Sequence, residues 1–246
     1  DKNSNIYRMY DGAGEPELQN IYDEENRTVE QITADGYKSK LKYNDTTQET
    51  IYTERTGEEQ IYRKDSMGRI FEREYLNGTE KLTFNDKSEI TEYIDKNGNK
   101  YKYEYDDQGN ICKEINPLGE VSEFSYNLTG NLIKTVNPDG SIYEYNYDSK
   151  GNLHATLDPE GRIVKTRYDE EGNMRAIIYP DGSETEFTYD EKGNIEEVKD
   201  GEGYVTKYKY DTLNRVSEIT RANGNKISYE YTNSGKITTV KFGDNS

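Results

Sequence analysis

Hydrophobic and polar residues alternate along most of this chain in short runs separated by turn-forming residues. Residues 142–147, Ile-Tyr-Glu-Tyr-Asn-Tyr, show the pattern clearly. A period of two residues is typical of a β-strand with one half-buried face. The six or seven residues between turns fit strands of ~20 Å, and no segment has a helical period. The pattern therefore predicts an all-β fold of short antiparallel strands.

A tyrosine recurs every 21 residues in the second half of the chain, which is the signature of a repeat architecture. The series is Tyr105, Tyr126, Tyr147, Tyr168, Tyr189, Tyr210 and Tyr231. Glycines follow the same spacing in two further series, Gly109, Gly130, Gly151, Gly172 and Gly193, and Gly119, Gly140, Gly161, Gly182, Gly203 and Gly224. We interpret these residues as the structural positions of a repeat.

Each repeat contains two predicted turns. The first, Tyr-Asp-x-x-Gly-Asn at residues 147–152, fits a type I turn closed by a left-handed glycine. The second, Asn-Pro-x-Gly at residues 116–119, has the type I preferences at its first, second and fourth positions. Each repeat of about 21 residues is therefore predicted to be a β-hairpin with a turn leading to the next one.

A three-residue loop at the first turn predicts which residues face each other. The expected pairs are Tyr147–Leu153, Tyr145–Ala155 and Tyr143–Leu157, and in the hairpin two repeats earlier Tyr105–Ile111, Tyr103–Lys113 and Tyr101–Ile115. The other face of the hairpin at Tyr147 would carry Glu144, Asn146, Asn152, His154 and Thr156. One face is thus predicted to be aromatic and aliphatic, and the other solvated.

The repeat predicts one continuous array with three regions. Residues 1–21 are expected to form an N-terminal cap or truncated repeat, residues 22–98 degenerate repeats and residues 99–246 regular repeats. An array of this length has about 22 strands, whereas a twisted sheet rarely exceeds about 10 without curling. We therefore expect an open sheet that coils or spirals, with an apolar face that is concave or associates with a second copy.

Composition narrows the possible partners. Only 30% of residues are hydrophobic and the mean hydropathy is -1.18, but 24 tyrosines favour a sheet over disorder. A net charge of -17 argues against nucleic acid and anionic membrane partners. The chain has neither an apolar run of ~18 residues nor a signal peptide at its start, so we expect no membrane insertion. Because it begins without Met and within the repeat pattern, we expect an excised fragment.

The sequence offers few residues for catalysis. Cys112 and His154 are the only cysteine and histidine, too few for an intrachain disulfide or a zinc site, and a nucleophilic pair would have to come from separate repeats. Residues 95–99 faintly resemble a calcium loop, but Asp106 stands where the loop needs glutamate. Acidic pairs could serve a glycosidase, yet solvated strand faces explain them more simply. We expect no enzyme activity, no cofactor and no metal site.

The tyrosines have two possible roles. They could be structural rungs of the sheet, or they could stack on sugars in a carbohydrate-binding array. The absence of tryptophan and the alternating placement of the aromatics within strands favour the structural role.

The motif Tyr-Asp-x-x-Gly-Asn-Leu, then Asn/Asp-Pro-Asp/Glu-Gly, then Tyr-x-Tyr-Asp resembles the YD or Rhs repeat, over about residues 22–242. The resemblance implies a hollow β-shell in a large secreted, surface or wall-associated bacterial protein. It implies that the repeats contact one another and enclose a variable C-terminal toxin or effector, as in polymorphic toxins. The chain departs from the family in lacking the self-cleaving aspartates and a toxin domain. The expected function is encapsulation or display, and the alternative is an adhesive array that binds surface glycans or cell wall.

Overall fold

The computed structural model describes residues 6–10, 14, 16–232 and 234–243. All regular elements in these residues are strands, which confirms the all-β class of tandem antiparallel hairpins. The described part of the chain contains no helix long and apolar enough to cross a membrane. The protein divides into two units, Asp1–Ser122 and Glu123–Ser246. The predicted cap at residues 1–21 lies partly outside the described residues.

The first unit is a meander in which each strand from β1 to β11 pairs antiparallel with the next. Its strands are β1 (Arg8–Tyr10), β2 (Pro16–Tyr22), β3 (Thr28–Thr33), β4 (Lys38–Asn44), β5 (Glu49–Thr53), β6 (Glu59–Lys64), β7 (Ile70–Tyr75), β8 (Gly78–Phe84), β9 (Ile90–Ile94), β10 (Lys100–Tyr105) and β11 (Ile111–Ile115). Strand β12 (Val121–Tyr126) begins in this unit and ends in the second.

The second unit continues the same pattern with more regular strands, each paired with the next from β12 to β23. Its further strands are β13 (Leu132–Val136), β14 (Ile142–Tyr147), β15 (Leu153–Leu157), β16 (Ile163–Tyr168), β17 (Met174–Ile178), β18 (Glu184–Tyr189), β19 (Ile195–Lys199), β20 (Val205–Tyr210), β21 (Val216–Thr220), β22 (Lys226–Tyr231) and β23 (Ile237–Gly243).

Both kinds of turn share one hydrogen-bond pattern. At residues 148–152, the Gly151 N–H donates to the Asp148 carbonyl at 3.1 Å, and the Asp148 N–H donates to the Asn152 carbonyl at 2.9 Å. Gly151 has a φ of 88°, so this is a type I turn with a left-handed fourth residue. The turn at residues 116–120 closes in the same way.

A β-bulge follows the first turn in every described first-turn hairpin except β4–β5, and it changes the predicted register. Tyr147 pairs with Leu153 and Tyr105 with Ile111, as predicted, but the register then shifts because one residue, His154 or Cys112, is extra. The predicted pairs Tyr145–Ala155, Tyr143–Leu157, Tyr103–Lys113 and Tyr101–Ile115 are therefore wrong. The observed pairs are Tyr145–Thr156, Asn146–Ala155, Glu144–Leu157, Tyr103–Glu114 and Lys102–Ile115. A shift of one residue moves every later side chain of that strand to the opposite face.

The shifted register gives the second unit two chemically different faces. The face that carries the repeat tyrosines, here called the tyrosine face, holds uncharged residues at its paired strand positions, such as Thr166, Ile177, Thr185 and Val198. Thr156 belongs to this face, contrary to the prediction, while Ala155 and Leu157 lie on the other one.

The opposite face of the second unit, here called the charged face, carries cross-strand ion pairs. They are Arg167–Glu184, Lys199–Glu186, Lys207–Glu197, Lys209–Glu218, Lys226–Glu218 and Lys241–Glu230. Exposed pairs of this kind contribute about 0–1 kcal/mol each. They fix which residues stand opposite each other more than they stabilise the sheet.

The described residues form no hydrophobic core. Ala176, on the charged face, is the one hydrophobic residue among them that is fully buried, at 1% exposure, and Asn20 and Thr50 are the buried polar residues. Most strand residues on both faces are half-buried at best. Stability must therefore come from hydrogen bonds and contacts between adjacent strands, as in other repeat proteins.

Replacing a turn glycine should destabilise the protein through the backbone alone. Gly193 has a φ of 83°, and a Cβ there would meet no atom within 4 Å. Gly193→Ala should therefore cost about 1–2 kcal/mol, the penalty of the left-handed conformation, as measured by urea unfolding. Asn214 fills the equivalent position at a φ of 58°. Asn214→Gly is the control and should leave stability unchanged or higher; equal losses from both changes would contradict this account.

Candidate functional site

The repeat tyrosines tie successive hairpins together through their hydroxyl groups. The hydroxyl of Tyr147 donates to the main-chain carbonyl of Leu132, 15 residues earlier, at 2.9 Å. We call this contact the tyrosine clamp. It recurs as Tyr43–Thr28, Tyr105–Ile90, Tyr168–Leu153, Tyr189–Met174, Tyr210–Ile195 and Tyr231–Val216, at 2.7–3.0 Å. Tyr126 occupies the same position in β12 and pairs with Leu132.

The bulge explains why a clamp is needed. The paired residues of β13 and β14 end at Lys134 and Glu144, so Leu132 lies beyond the ladder, next to the extra residue Ile133. A main-chain carbonyl without a partner is costly when water cannot reach it. The Tyr147 hydroxyl replaces the missing ladder bond and links one hairpin to the next.

Partial burial keeps these hydroxyls in the donating form. Burial raises the pKa of Tyr105, Tyr147, Tyr189 and Tyr210 above the ordinary value because the phenolate would lose hydration. These four clamp hydroxyls therefore stay protonated throughout the neutral pH range.

The aspartate after the clamp tyrosine closes the first turn. In the turn after Tyr147, Asp148 Oδ1 accepts the main-chain N–H groups of Lys150 and Asn152, both at 2.9 Å, and Oδ2 accepts the Asn152 side-chain amide at 3.0 Å. Asp106 with Asn110 and Asp190 with Asn194 repeat the arrangement. The motif predicted Asp and Asn only as turn formers; their side-chain bond was not predicted, although their constant four-residue spacing indicates it.

Arginine replaces the turn asparagine in some repeats and reaches the next clamp. Arg215 Nε donates to Asp211 Oδ2 at 2.7 Å, and its guanidinium carbon lies 4.4 Å from the ring centroid of Tyr231. Arg69 lies 4.5 Å from the ring of Phe84, which occupies the tyrosine position without a hydroxyl. A cation–π contact there connects the two hairpins in place of the hydroxyl.

The structure places the glycines of both predicted series in turns with positive φ. These residues are Gly109, Gly119, Gly130, Gly140, Gly151, Gly161, Gly172, Gly182, Gly193, Gly203 and Gly224. Their role as structural repeat positions stays a prediction.

The residues considered for catalysis lie in structural positions. Cys112 is a half-buried free thiol at a bulge of the first unit. His154 is an exposed bulge residue of the second unit, with Nδ1 3.2 Å from the Thr166 carbonyl. Asp95, in the segment compared with a calcium loop, accepts the N–H groups of Asn97 and Asn99. No His, Cys, Asp and Glu side chains among the described residues group in a way that could hold a metal ion.

The tyrosine face of the first unit is more polar than that of the second. There Glu80 accepts hydrogen bonds from the hydroxyls of Tyr75 at 3.0 Å and Tyr93 at 3.2 Å, and it lies 3.6 Å from Arg73 Nη1. Tyr103, also on this face, stands opposite Glu114. The uncharged character of the tyrosine face is thus a property of the second unit.

Removing one clamp hydroxyl should weaken the array measurably. Tyr147→Phe leaves the ring in place but deprives the Leu132 carbonyl of its donor, so unfolding should require about 0.5–1.5 kcal/mol less. Tyr145, two residues earlier in β14, makes no hydrogen bond through its hydroxyl to another described residue and provides the control. Urea unfolding should show a loss for Tyr147→Phe and little change for Tyr145→Phe; the opposite order would refute the clamp.

The turn aspartates should make the fold sensitive to acid. The Asn152 amide, followed by main-chain N–H groups, holds the pKa of Asp148 below its ordinary value of 3.8, and Asp106 and Asp190 behave alike. An aspartate whose pKa is lower in the folded than in the unfolded state stabilises the fold fully above pH ~5. This stabilisation is lost as the pH falls through ~4 towards the folded-state pKa values. Melting temperature should be flat from pH 5 to 7 and fall below pH 4. Asp148→Asn should make that fall shallower; an unchanged slope would show that other groups cause it.

Comparison with known proteins agrees with this architecture. The family model described as the teneurin YD-shell matches residues 1–187 and 181–246. No curated protein matches the chain.

Among solved structures, the crystal structure of TcdB2-TccC3-TEV shares the fold with a TM-score of 0.52 at 12% sequence identity, over 96% of this chain and 20% of that one. A Tc holotoxin pore from Photorhabdus luminescens gives a TM-score of 0.49 at 12% identity, over 96% and 19% of the two chains. The chain thus spans about a fifth of the length of these proteins. The family match extends over the whole sequence, and the chain therefore belongs to the teneurin YD-shell family, as the YD-repeat motif predicted.

Proposed function

We propose that this chain is a non-catalytic wall segment of a YD-type β-shell that encloses or displays a C-terminal toxin or effector in a secreted or surface protein. The observation that carries the proposal is the single layer of hairpins in the second unit, with an uncharged tyrosine face and a charged face on opposite sides. A wall between a polypeptide cargo and water needs this difference between its two sides.

Two structural features support a wall. First, the clamps and turns are local, so the strength of the layer grows with each added repeat and depends on no central core. Second, the tyrosine face of the second unit offers aromatic rings, methyl groups and hydroxyls, which contact many different sequences without strong preference. A shell with a variable cargo requires an inner surface of this kind, and we assign the tyrosine face to the inside.

The alternative of an adhesive array rests on tyrosines available to sugars. The clamp tyrosines do not favour it, because their hydroxyls are occupied by main-chain carbonyls and their rings are half-buried between strands. Any sugar contact must involve tyrosines outside the clamp.

The assignment of the inner face can be tested with two cysteines in β18. Thr185 lies on the tyrosine face, opposite Ile177, and Thr188 lies on the charged face, opposite Glu197. In a Cys112→Ser background, Thr185→Cys and Thr188→Cys would each carry a benzophenone photo-crosslinker. A short unfolded passenger polypeptide would be fused after the last residue of the full chain.

The proposal expects the passenger to crosslink several-fold more from position 185 than from position 188, as measured by mass spectrometry. The matched control is the same pair with the passenger added in trans, where crosslinking should be weak from both positions. Equal crosslinking from the two faces, or a preference for position 188, would contradict a cargo-facing tyrosine face.

A further inference from the structure

The first strand of the chain has the features of a strand that precedes a first turn. Tyr10 and the four residues after it read Tyr-Asp-Gly-Ala-Gly, which matches the first-turn motif Tyr-Asp-x-x-Gly. Tyr10 pairs with Pro16, six residues later, and the register shifts just before it, as it does where Tyr147 pairs with Leu153. Gly14 has a φ of 83°. Tyr10 therefore occupies the clamp position of β1.

This clamp tyrosine lacks the acceptor that other clamp tyrosines have. In a regular repeat the acceptor lies on the strand before, as Leu153 of β15 accepts from Tyr168 of β16. Among the described strands, β1 pairs with β2 alone. The Tyr10 hydroxyl makes no hydrogen bond to another described residue, and its side chain is 55% exposed, whereas Tyr168 is half-buried. Strand β1 thus carries a clamp donor beside an unpaired strand edge.

The last strand carries the complementary half of a clamp. Ile237 pairs with the clamp residue Tyr231, six residues before it, and so holds the position in β23 that Leu153 holds in β15. The Leu153 carbonyl accepts a clamp bond from Tyr168, but no hydroxyl of the described residues donates to the Ile237 carbonyl. Strand β23 pairs with β22 alone among the described strands, and Ile237 and Val240 are 56% and 42% exposed.

We propose that β23 of one copy of this chain pairs antiparallel with β1 of a second copy, and that Tyr10 of the second copy closes the clamp at Ile237 of the first. An edge strand presents unpaired main-chain N–H and C=O groups to which another strand can be added. Because donor and acceptor lie on different strands, the contact is head-to-tail and each copy can bind two others. It uses strand edges and not the tyrosine face, and it does not rest on the proposed wall function.

The regular repeats give the register of this contact. Between β15 and β16, the pair on the tyrosine face lies three residues after the clamp acceptor and four residues before the clamp tyrosine. The same offsets from Ile237 and Tyr10 select Val240 and Ile6. These two apolar side chains are 42% and 58% exposed, so their pairing would remove apolar surface of both copies from water.

Existing hydrogen bonds constrain the ladder at this pair. The Ile6 carbonyl already accepts the Tyr22 hydroxyl at 2.6 Å and the Asn20 side-chain amide at 2.8 Å. The ladder bond there must therefore run from the Ile6 N–H to the Val240 carbonyl. The Tyr10 clamp and the apolar pair provide the remaining attraction between the copies.

The register is tested by disulfide formation between two variants, each in a Cys112→Ser background. The offsets place Thr239 of one copy opposite Tyr7 of the other, and directly opposite strand residues are close enough for a disulfide. Thr239→Cys mixed with Tyr7→Cys should therefore give a mixed dimer under mild oxidation, identified by mass spectrometry. Leu213→Cys, at a turn position that is 64% exposed, replaces Tyr7→Cys in the control and should react several-fold more slowly. Equal rates would contradict the register.

Association is measured by sedimentation of the full chain over a range of concentrations. The salt concentration is ~0.15 M, so that the repulsion between copies with a net charge of -17 is screened. The average mass should rise steadily with concentration, because a head-to-tail contact leaves a free edge on each assembly. A mass that stays at one copy at every concentration overturns the proposal.

Edge variants show whether this contact causes the association. Val240→Lys should weaken it about tenfold, since a lysine on an edge strand opposes pairing, and adding Ile6→Glu should restore most of the loss through the new opposite charges. Tyr10→Phe should weaken association several-fold by removing the clamp hydroxyl. Leu213→Lys is the matched control and should change nothing. Association that survives unchanged in both Val240→Lys and Tyr10→Phe would refute the assignment of these edges.

Discussion

The hydrogen bond from a tyrosine hydroxyl to a carbonyl beside a β-bulge determines how this protein joins one hairpin to the next. The bulge turns the strand out of register with its neighbour and leaves a carbonyl beyond the ladder. The Tyr147 side chain crosses to that carbonyl from the following hairpin. A phenylalanine would fill the same space without making the bond. Each clamp reaches the hairpin before its own, so the clamp recurs with the 21-residue period of the repeat.

The absence of a core in the described residues makes this contact decisive. Most sheets bury one face against another layer, whereas here Ala176 alone among the described hydrophobic residues is fully buried. Each strand therefore depends on its two neighbours, and local defects should stay local. The first unit tolerates several such defects: Phe84 replaces a clamp tyrosine, and Arg69 covers its ring. Because each strand depends only on its two neighbours, the residues on the sheet faces can also differ between the two units.

Much of the fold could be predicted from the sequence because turns and alternation are local signals. The strands, both turns and the pairs next to the first turn, such as Tyr147–Leu153, agree with the structure. The register beyond that pair was wrong, because His154 looks like an ordinary alternating residue and nothing in its type marks a bulge. The clamp was missed for a related reason. The alternation of hydrophobic and polar residues explains an aromatic ring at Tyr147 but does not indicate what its hydroxyl bonds to. The preference for tyrosine over phenylalanine at seven successive repeat positions was the signal that could have indicated this hydroxyl bond.

Departures from a repeat are the best guide to chemistry in such a protein, provided that the reason for the rule is known. Lys64 and Phe84 depart from the clamp position within the first unit, and the neighbouring Arg69 compensates at Phe84. Tyr37 holds the fifth position of a second turn, and Arg55 from the following second turn covers its ring at 4.7 Å. At both Phe84 and Tyr37 a cation–π contact therefore joins neighbouring hairpins where no tyrosine hydroxyl of the described residues does so.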